Sequence, residues 1–500
     1  MQEKLGRLKE ILAVVIDLNR ASAVLGWDMQ TYMPPGGVVD RGNQLSTLSS
    51  LSHAKLVSEE VGSLLEDLKP FGESLDSESD DACLIEVTDR KYQKAVKVPN
   101  KYMAELSKVT AIANSAWEKA RTKDDFSHFQ PHLEKIVEMR RQYADFFKPY
   151  DHVYDPLLDD SEPGMTTAEV QEILTSLRPK QVELIKAIAE QPQVDDSFLY
   201  LHYDEKEQWE FGEGVITKYG YDWNCGRQDK TAHPFTILFG QGDVRITTRV
   251  DEEFLSEALF GTLHEAGHAI YFQGIAKDLD RTPLGSGASD AIHESQSRMY
   301  ENLLGRSYDF WVHFYPALQE RFKTQLGNVD LDTFYSGINK VEPSLIRVEA
   351  DEATYNLHIM LRLELEIALM EGKLVVSDLP DAWNDRMRDY LGITPPNNAD
   401  GVLQDVHWSY GSLGYFPSYA LGNLVSNQLW EKINQDIPNL PGQIREGNFA
   451  ELLVWLRENV HRYGSKFKPQ YLVKKIVGTT ISPEPYLKYL NDKFGAIYGL

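Results

Sequence analysis

A chain of 500 residues that is 42% hydrophobic and 25% charged has the composition of a folded protein with a large core, not of a disordered or low-complexity one. Its 76 acidic against 51 basic side chains give a formal charge of −25, so its average field repels nucleic acid and anionic membranes, and any anion it binds needs a local cation. Cys83 and Cys225 are too few for a disulfide framework or a thiolate metal knuckle, and two free thiols in a reducing compartment are expected.

The first stretch, MQEKLGRLKEILAVVIDLNRAS, sets Leu5, Leu8, Leu12, Val15 and Ile16 at helical spacing. Its apolar run from Ile11 to Ile16 is too short for a secretory core, and no later run reaches the ~18 residues of a membrane helix. A cytoplasmic protein is the expectation. The 3.6-residue period then persists, broken only by turn clusters such as PPGG at 34–37, LDDSEPGM at 158–165, QPQVDDS at 191–197 and TPPNNADG at 394–401. None is long enough to tether independent modules. A mainly α body, one domain over 1–500 with room for two helical lobes, is expected.

One segment departs from that period. HPFTILFGQGDVRITTRV, 233–250, holds two β-prone runs, Phe235–Phe239 and Val244–Val250, joined by GQGD in the manner of a hairpin. In the second run Arg245 and Arg249 share a face, which is either a solvated face or part of a site.

From Asp251, read as an N-cap, to Gly274 the chain reads as one amphipathic helix with Leu255, Leu259, Leu263, Ala266 and Ile270 as its apolar stripe. On it TLHEAGHAIYF sets His264 and His268 at i and i+4, on one face, with Glu265 beside the first. That spacing lets two imidazoles share one zinc ion while the glutamate reaches the metal's water; the alternative is a buried helix that happens to contain these residues. Zinc wants a third protein ligand, and no third histidine follows closely. SDAIHESQSRMYENLLG, 289–305, reads as the next helix, capped by Ser289 or Asp290, and Glu294 near its start is the third-ligand candidate, against the reading of a surface carboxylate. Between the two helices DRTPLGSGASD lacks any phosphate-cradling context and reads as a mobile rim loop. SLIRVEADEATYNLHIML is periodic through Ala350, Ala353, Leu357 and Met360 and reads as a helix begun by Arg347, an arginine that could simply pair with Glu349 or Asp351. GVLQDVHWSYGSLGYFPSYALGN, 401–423, has four glycines among aromatics and reads as a long functional loop bearing His407, Tyr410, Tyr415 and Tyr419.

These residues resemble the carboxypeptidase Taq family of metallocarboxypeptidases. The resemblance spans almost the whole chain, through GWDMQTYMPPGG, HPF, DVRIT, HEAGH, HESQSR, IRVEAD and GVLQDVHW in that order. It implies a helical zincin-like fold, related to neurolysin and angiotensin-converting enzyme, with a deep cleft and a small antiparallel sheet. It also implies a homodimer with one zinc per chain, cobalt serving as a substitute, that removes single C-terminal residues from peptides with broad specificity and spares C-terminal proline. By motif the ligands are His264, His268 and Glu294, and the base is Glu265. Arg347, and secondarily Arg245, would bind the substrate's free carboxylate, and His407 with Tyr419 would stabilise the oxyanion. Glu294 opens E-S-Q-S-R rather than the E-x-x-x-D of thermolysin-like enzymes, so the partners of the two histidines are not assigned. An internally cutting neurolysin-type oligopeptidase, and a silent helical scaffold with a structural metal, are the rival readings.

Overall fold

Apolar residues recurring every third or fourth position can be buried together only on helices. The computed structural model, which describes residues 1–500, is accordingly mainly α-helical from Gln2–Thr31 to Glu484–Tyr498. No helix is long and apolar enough to cross a membrane. One cluster of 115 buried hydrophobic residues runs from Leu5 to Tyr498, so both ends of the chain share a core. Cys83 and Cys225 are unbridged.

The sheet is small and mixed, which corrects the antiparallel expectation. Strands β2 (Thr236–Gly240) and β3 (Asp243–Thr248) form the expected hairpin, with Thr236 opposite Ile246. Strand β1 (Gln228–Lys230) joins the other edge of β3 in parallel, giving the order β1-β3-β2. Three residues are too few to display a period, so β1 has no signature in the sequence.

Four helices carry the candidate site residues, and one of them, the histidine helix, packs on the sheet. The histidine helix spans Leu255–Gly274 and starts three residues later than an N-cap at Asp251 would place it. Asp251 does not cap it: its carboxylate takes the Glu253 N–H at 2.8 Å in a local turn, and the carbonyls of Asp251 and Glu252 accept from Gln208 Nε2 and Tyr203 N. The carboxylate helix, Asp290–Arg298, is capped as expected by Ser289, whose hydroxyl accepts from Ile292 N, and it continues as a π-helical segment over Met299–Leu304. The core helix begins at Tyr355 and ends at Glu371, not at Arg347, which lies in a single 3-10 turn. Asp351 interrupts it by capturing the N–H groups of Ala353 and Thr354 at 2.9 and 3.0 Å. The fourth, the tyrosine helix, runs Pro417–Asp436, so Tyr419 sits in a first helical turn opened by proline and not in a loop.

The 280–288 loop, expected to be mobile, is fastened on several sides. Asp280 and Arg281 pair with Arg20 and Asp17 of the first helix at 2.5 Å each, Ser465 binds the carbonyls of Pro283 and Leu284, and Ala288 N donates to Tyr271.

The carboxylate helix is squeezed between the histidine and tyrosine helices, and each contact depends on a missing side chain. A Cβ on Gly267 would lie 2.7 Å from the Gln296 carbonyl oxygen, and one on Gly422 would lie 2.6 Å from Glu294 Cγ. Gly261, on the same helix as Gly267, has nothing nearer than Thr248 Oγ1 at 3.9 Å. Gly267→Ala should therefore destabilise by about 1–3 kcal/mol through overpacking, whereas Gly261→Ala should stabilise by up to about 1 kcal/mol through helix propensity. Thermal melting of the two variants checks this, and equal shifts would disprove the close helix approach.

Candidate metal centre

His264 and His268 stand one turn apart with ring centroids 4.8 Å from each other. Each has its Nδ1 engaged. His264 Nδ1 lies 2.8 Å from Glu301 Oε2, and His268 Nδ1 lies 3.0 Å from the carbonyl oxygen of His293. An imidazole that donates from Nδ1 presents a lone pair at Nε2, the form a metal binds. Both Nε2 atoms face the same oxygen, Glu294 Oε2, at 3.6 Å from His264 and 3.4 Å from His268. The three donor atoms all lie within 4.8 Å of one another. A tetrahedral ion with ligand bonds of roughly 2.0–2.2 Å separates its ligands by about 3.3–3.6 Å. The donor set, two imidazoles and one carboxylate with their outer atoms already bonded, thus fits a divalent ion.

Glu294 is held from behind. Its Oε1 accepts from Arg298 Nε at 2.6 Å and its Oε2 from Ser297 Oγ at 3.0 Å. Arg298 Nη1 also reaches Glu301 Oε2 at 3.3 Å. Burial disfavours the charge on both carboxylates, but Arg298 and His264 overcome it, keeping Glu294 well below the usual carboxylate range and Glu301 down at about 2. Both are therefore ionised at any physiological pH.

Glu265 is buried beside His264, and its Oε2 lies 2.6 Å from the Thr236 hydroxyl on β2, which also sits 2.9 Å from the Glu265 carbonyl oxygen. One threonine at the sheet edge thus fixes both the backbone and the carboxylate of this residue. His407 and Tyr419 are also brought together, His407 Nε2 lying 3.4 Å from the Tyr419 hydroxyl. Burial pushes the imidazole down to about 4, so it is neutral near pH 7. The Tyr415 ring packs 5.3 Å from that of Tyr419, whereas Tyr410 is exposed.

Arg347 is buried and largely engaged. Its Nε and Nη2 donate to Asp405 Oδ1 at 3.1 and 2.9 Å and its Nη1 to the Tyr355 hydroxyl at 2.8 Å, which uses three of a guanidinium's five N–H groups. Its Cζ stands 5.1 Å from the centre of the Tyr419 ring. The Arg245 fork closes on Asp243 through two bonds of 2.8 Å and lies over the rings of Trp27 and Phe239, linking the sheet to the first helix.

Sequence reasoning missed Glu301, Arg298, Thr236, Tyr355 and Asp405. Arg298 and Glu301 follow Glu294 by four and seven residues, the spacing of one helical face, and that was an available signal. Thr236 gave none, because its contact is set by how the sheet packs on the helix.

Residues 7–494 match the model of the carboxypeptidase Taq (M32) metallopeptidases. The chain is 41% identical over 492 residues to thermostable carboxypeptidase 1 of Thermus thermophilus, covering 96% of both chains, and 38% identical over 490 residues to carboxypeptidase 1 of Bacillus subtilis, covering 98% of this chain and 97% of that one. The crystal structure of an M32 carboxypeptidase from Deinococcus radiodurans R1 superposes with a TM-score of 0.96 at 39% identity, covering 100% of both chains. The helical zincin-like fold is shared with these proteins, and the chain belongs to the carboxypeptidase Taq (M32) family as a metallocarboxypeptidase.

Proposed function

We propose that this metallocarboxypeptidase uses zinc, one ion per chain, with cobalt able to replace it, and releases single C-terminal residues from peptides of broad sequence. The observation that carries the reading is the convergence of His264 Nε2, His268 Nε2 and Glu294 Oε2, three protein donors with Glu265 held beside them. A closed structural site would have a fourth protein ligand and no need of a poised carboxylate.

Bound there, zinc would supply Lewis acidity, bringing a coordinated water toward a pKa of roughly 7 and polarising the scissile carbonyl. The chain's own residues do the rest. Glu265, oriented by Thr236, accepts the proton of the attacking water and passes it to the departing amine. His407, neutral, and Tyr419 donate hydrogen bonds to the developing oxyanion, which favours the transition state over the ground state. Arg347 offers its two remaining N–H groups to the free carboxylate of the substrate, and that fixed anchor sets the register so that one residue leaves. In a protein of charge −25 such an anchor has to be local.

Peptides with a free C-terminus are the proposed substrates, and C-terminal proline is spared because it presents a tertiary amide of fixed φ. The same reading includes a homodimer acting in the cytoplasm, without nucleic-acid or membrane partners, on the support of the family resemblance and the acidic charge.

Three outcomes follow. Glu265→Gln should retain one metal per chain by elemental analysis and lose at least about 10²-fold in kcat; turnover near wild type would remove Glu265 from the mechanism. Arg347→Ala should raise KM for free-acid peptides while leaving the slow cleavage of the amidated forms unchanged. If both forms are cut equally well by the wild type, the enzyme is an internally cutting oligopeptidase instead. Glu301→Gln should weaken metal retention by about 10–100-fold in a chelator competition, and unchanged retention would sink the role given to its bond with His264.

A further inference from the structure

The core helix Tyr355–Glu371 is apolar on nearly every side, yet it carries two charged side chains with no exposure, Arg362 and Glu366. They are four residues apart and so lie on one face. Glu366 accepts from neutral donors alone. Its Oε2 takes the Tyr154 hydroxyl at 2.6 Å and the Gly414 N–H at 2.9 Å, and its Oε1 takes the Trp408 indole N–H at 2.7 Å. Burying a carboxylate in such company is costly, and burial pushes Glu366 up to about 7. An apolar side chain of the same volume would fill the space at lower cost.

The donors explain why a carboxylate stands there. Trp408 follows His407 directly, and Gly414 directly precedes Tyr415. Gly414 has φ +100° and packs against Leu157 so closely that a Cβ would lie 2.6 Å from its carbonyl, which holds the turn in one conformation. One turn earlier on the core helix, Arg362 takes the other end of the segment through Asp405 Oδ2 at 2.7 Å and Gln404 Oε1 at 2.8 Å. A single helix face therefore grips residues 404, 405, 408 and 414, on both sides of His407.

We propose that Glu366 is a positioning residue for the hydrolysis: by tying Trp408 and Gly414 to the core helix it holds His407 and Tyr419 in their mutual geometry without touching the substrate. A glutamine has one acceptor oxygen where this site uses two, so it cannot bind all three donors in the same way. The inference rests on the reading of His407 and Tyr419 as oxyanion donors, and misplacing such groups slightly is enough to slow catalysis.

Two deletions at the same carboxylate test it. Trp408→Phe removes a donor on the gripped segment, and Tyr154→Phe removes one outside it. The measurements are kcat and KM on a blocked dipeptide, bound metal and Tm, with Glu366→Gln and Tyr419→Phe alongside. Trp408→Phe should lower kcat by about ten-fold or more with KM within about two-fold and metal content unchanged. Tyr154→Phe should keep kcat within about two-fold despite a similar loss in Tm. Glu366→Gln should be at least as slow as Trp408→Phe, and combining the two should add little. Equal kcat in Trp408→Phe and Tyr154→Phe, or losses that track Tm alone, overturn the proposal, and this pair decides the matter if Glu366→Gln does not fold. Wild-type kcat in Tyr419→Phe would bring down the oxyanion reading first, whereas a slow Tyr419→Phe beside an unimpaired Trp408→Phe overturns the role of Glu366 alone.

Discussion

Arg298 reaches back one turn to Glu294 Oε1 at 2.6 Å and forward to Glu301 Oε2 at 3.3 Å, and the candidate metal centre depends on these two contacts. A carboxylate buried between imidazoles would protonate unless a cation held it ionised. Removing one partner from such a buried pair costs about 3–5 kcal/mol, because it strands the other charge. Here one guanidinium serves two carboxylates, of which one faces the histidine Nε2 atoms and the other sets the tautomer of His264. The π-helical segment over Met299–Leu304 holds Glu301 and is packed into the core through Met299, Leu303 and Leu304. Departures of this kind from regular α-helix are common at functional sites.

The same economy extends from the metal centre to the proposed substrate anchor. The Arg298 guanidinium lies 4.4 Å from the centre of the Tyr355 ring, and the Tyr355 hydroxyl accepts from Arg347 at 2.8 Å. Tyr355 opens the core helix, whose Arg362 pairs with the same Asp405 that receives Arg347. Asp405 would be pushed up by its burial, but Arg347 and Arg362 hold it ionised, well below the usual range. Two arginines around one aspartate leave the cluster with an excess positive charge, which suits a pocket for a carboxylate in a protein that is acidic overall.

What could be read in the sequence divides along physical lines. His264, Glu265 and His268 were legible because their spacing is helical geometry itself, and Ser289 because a cap is a local hydrogen bond. Glu294 was legible only as a candidate, since nothing local tells a ligand from a surface carboxylate; the packing permitted by Gly267 and Gly422 makes the difference. Asp351 defeated the periodicity around Arg347 by binding backbone N–H groups that a helix would have used. Pro417 marked a helix start that the surrounding aromatics and glycines hid. For Arg245 the strand's face is visible in the sequence whereas its neighbour on that face, Trp27 from the first helix, is not.

The overlooked signal of most consequence was polarity inside an apolar helix. In YNLHIMLRLELEIALME the only cation, Arg362, and Glu366 are spaced to share a face, and neither could be buried without partners. Such a pair announces that some other part of the chain must arrive with matching donors and acceptors. The segment that arrives, 404–414, is rich in glycine and has little regular structure of its own, so the partners on the core helix substitute for the backbone ladder it lacks. A histidine placed on so irregular a segment can be held precisely only if the segment is bonded on both sides of it, and Asp405 with Trp408 are the nearest such bonds to His407.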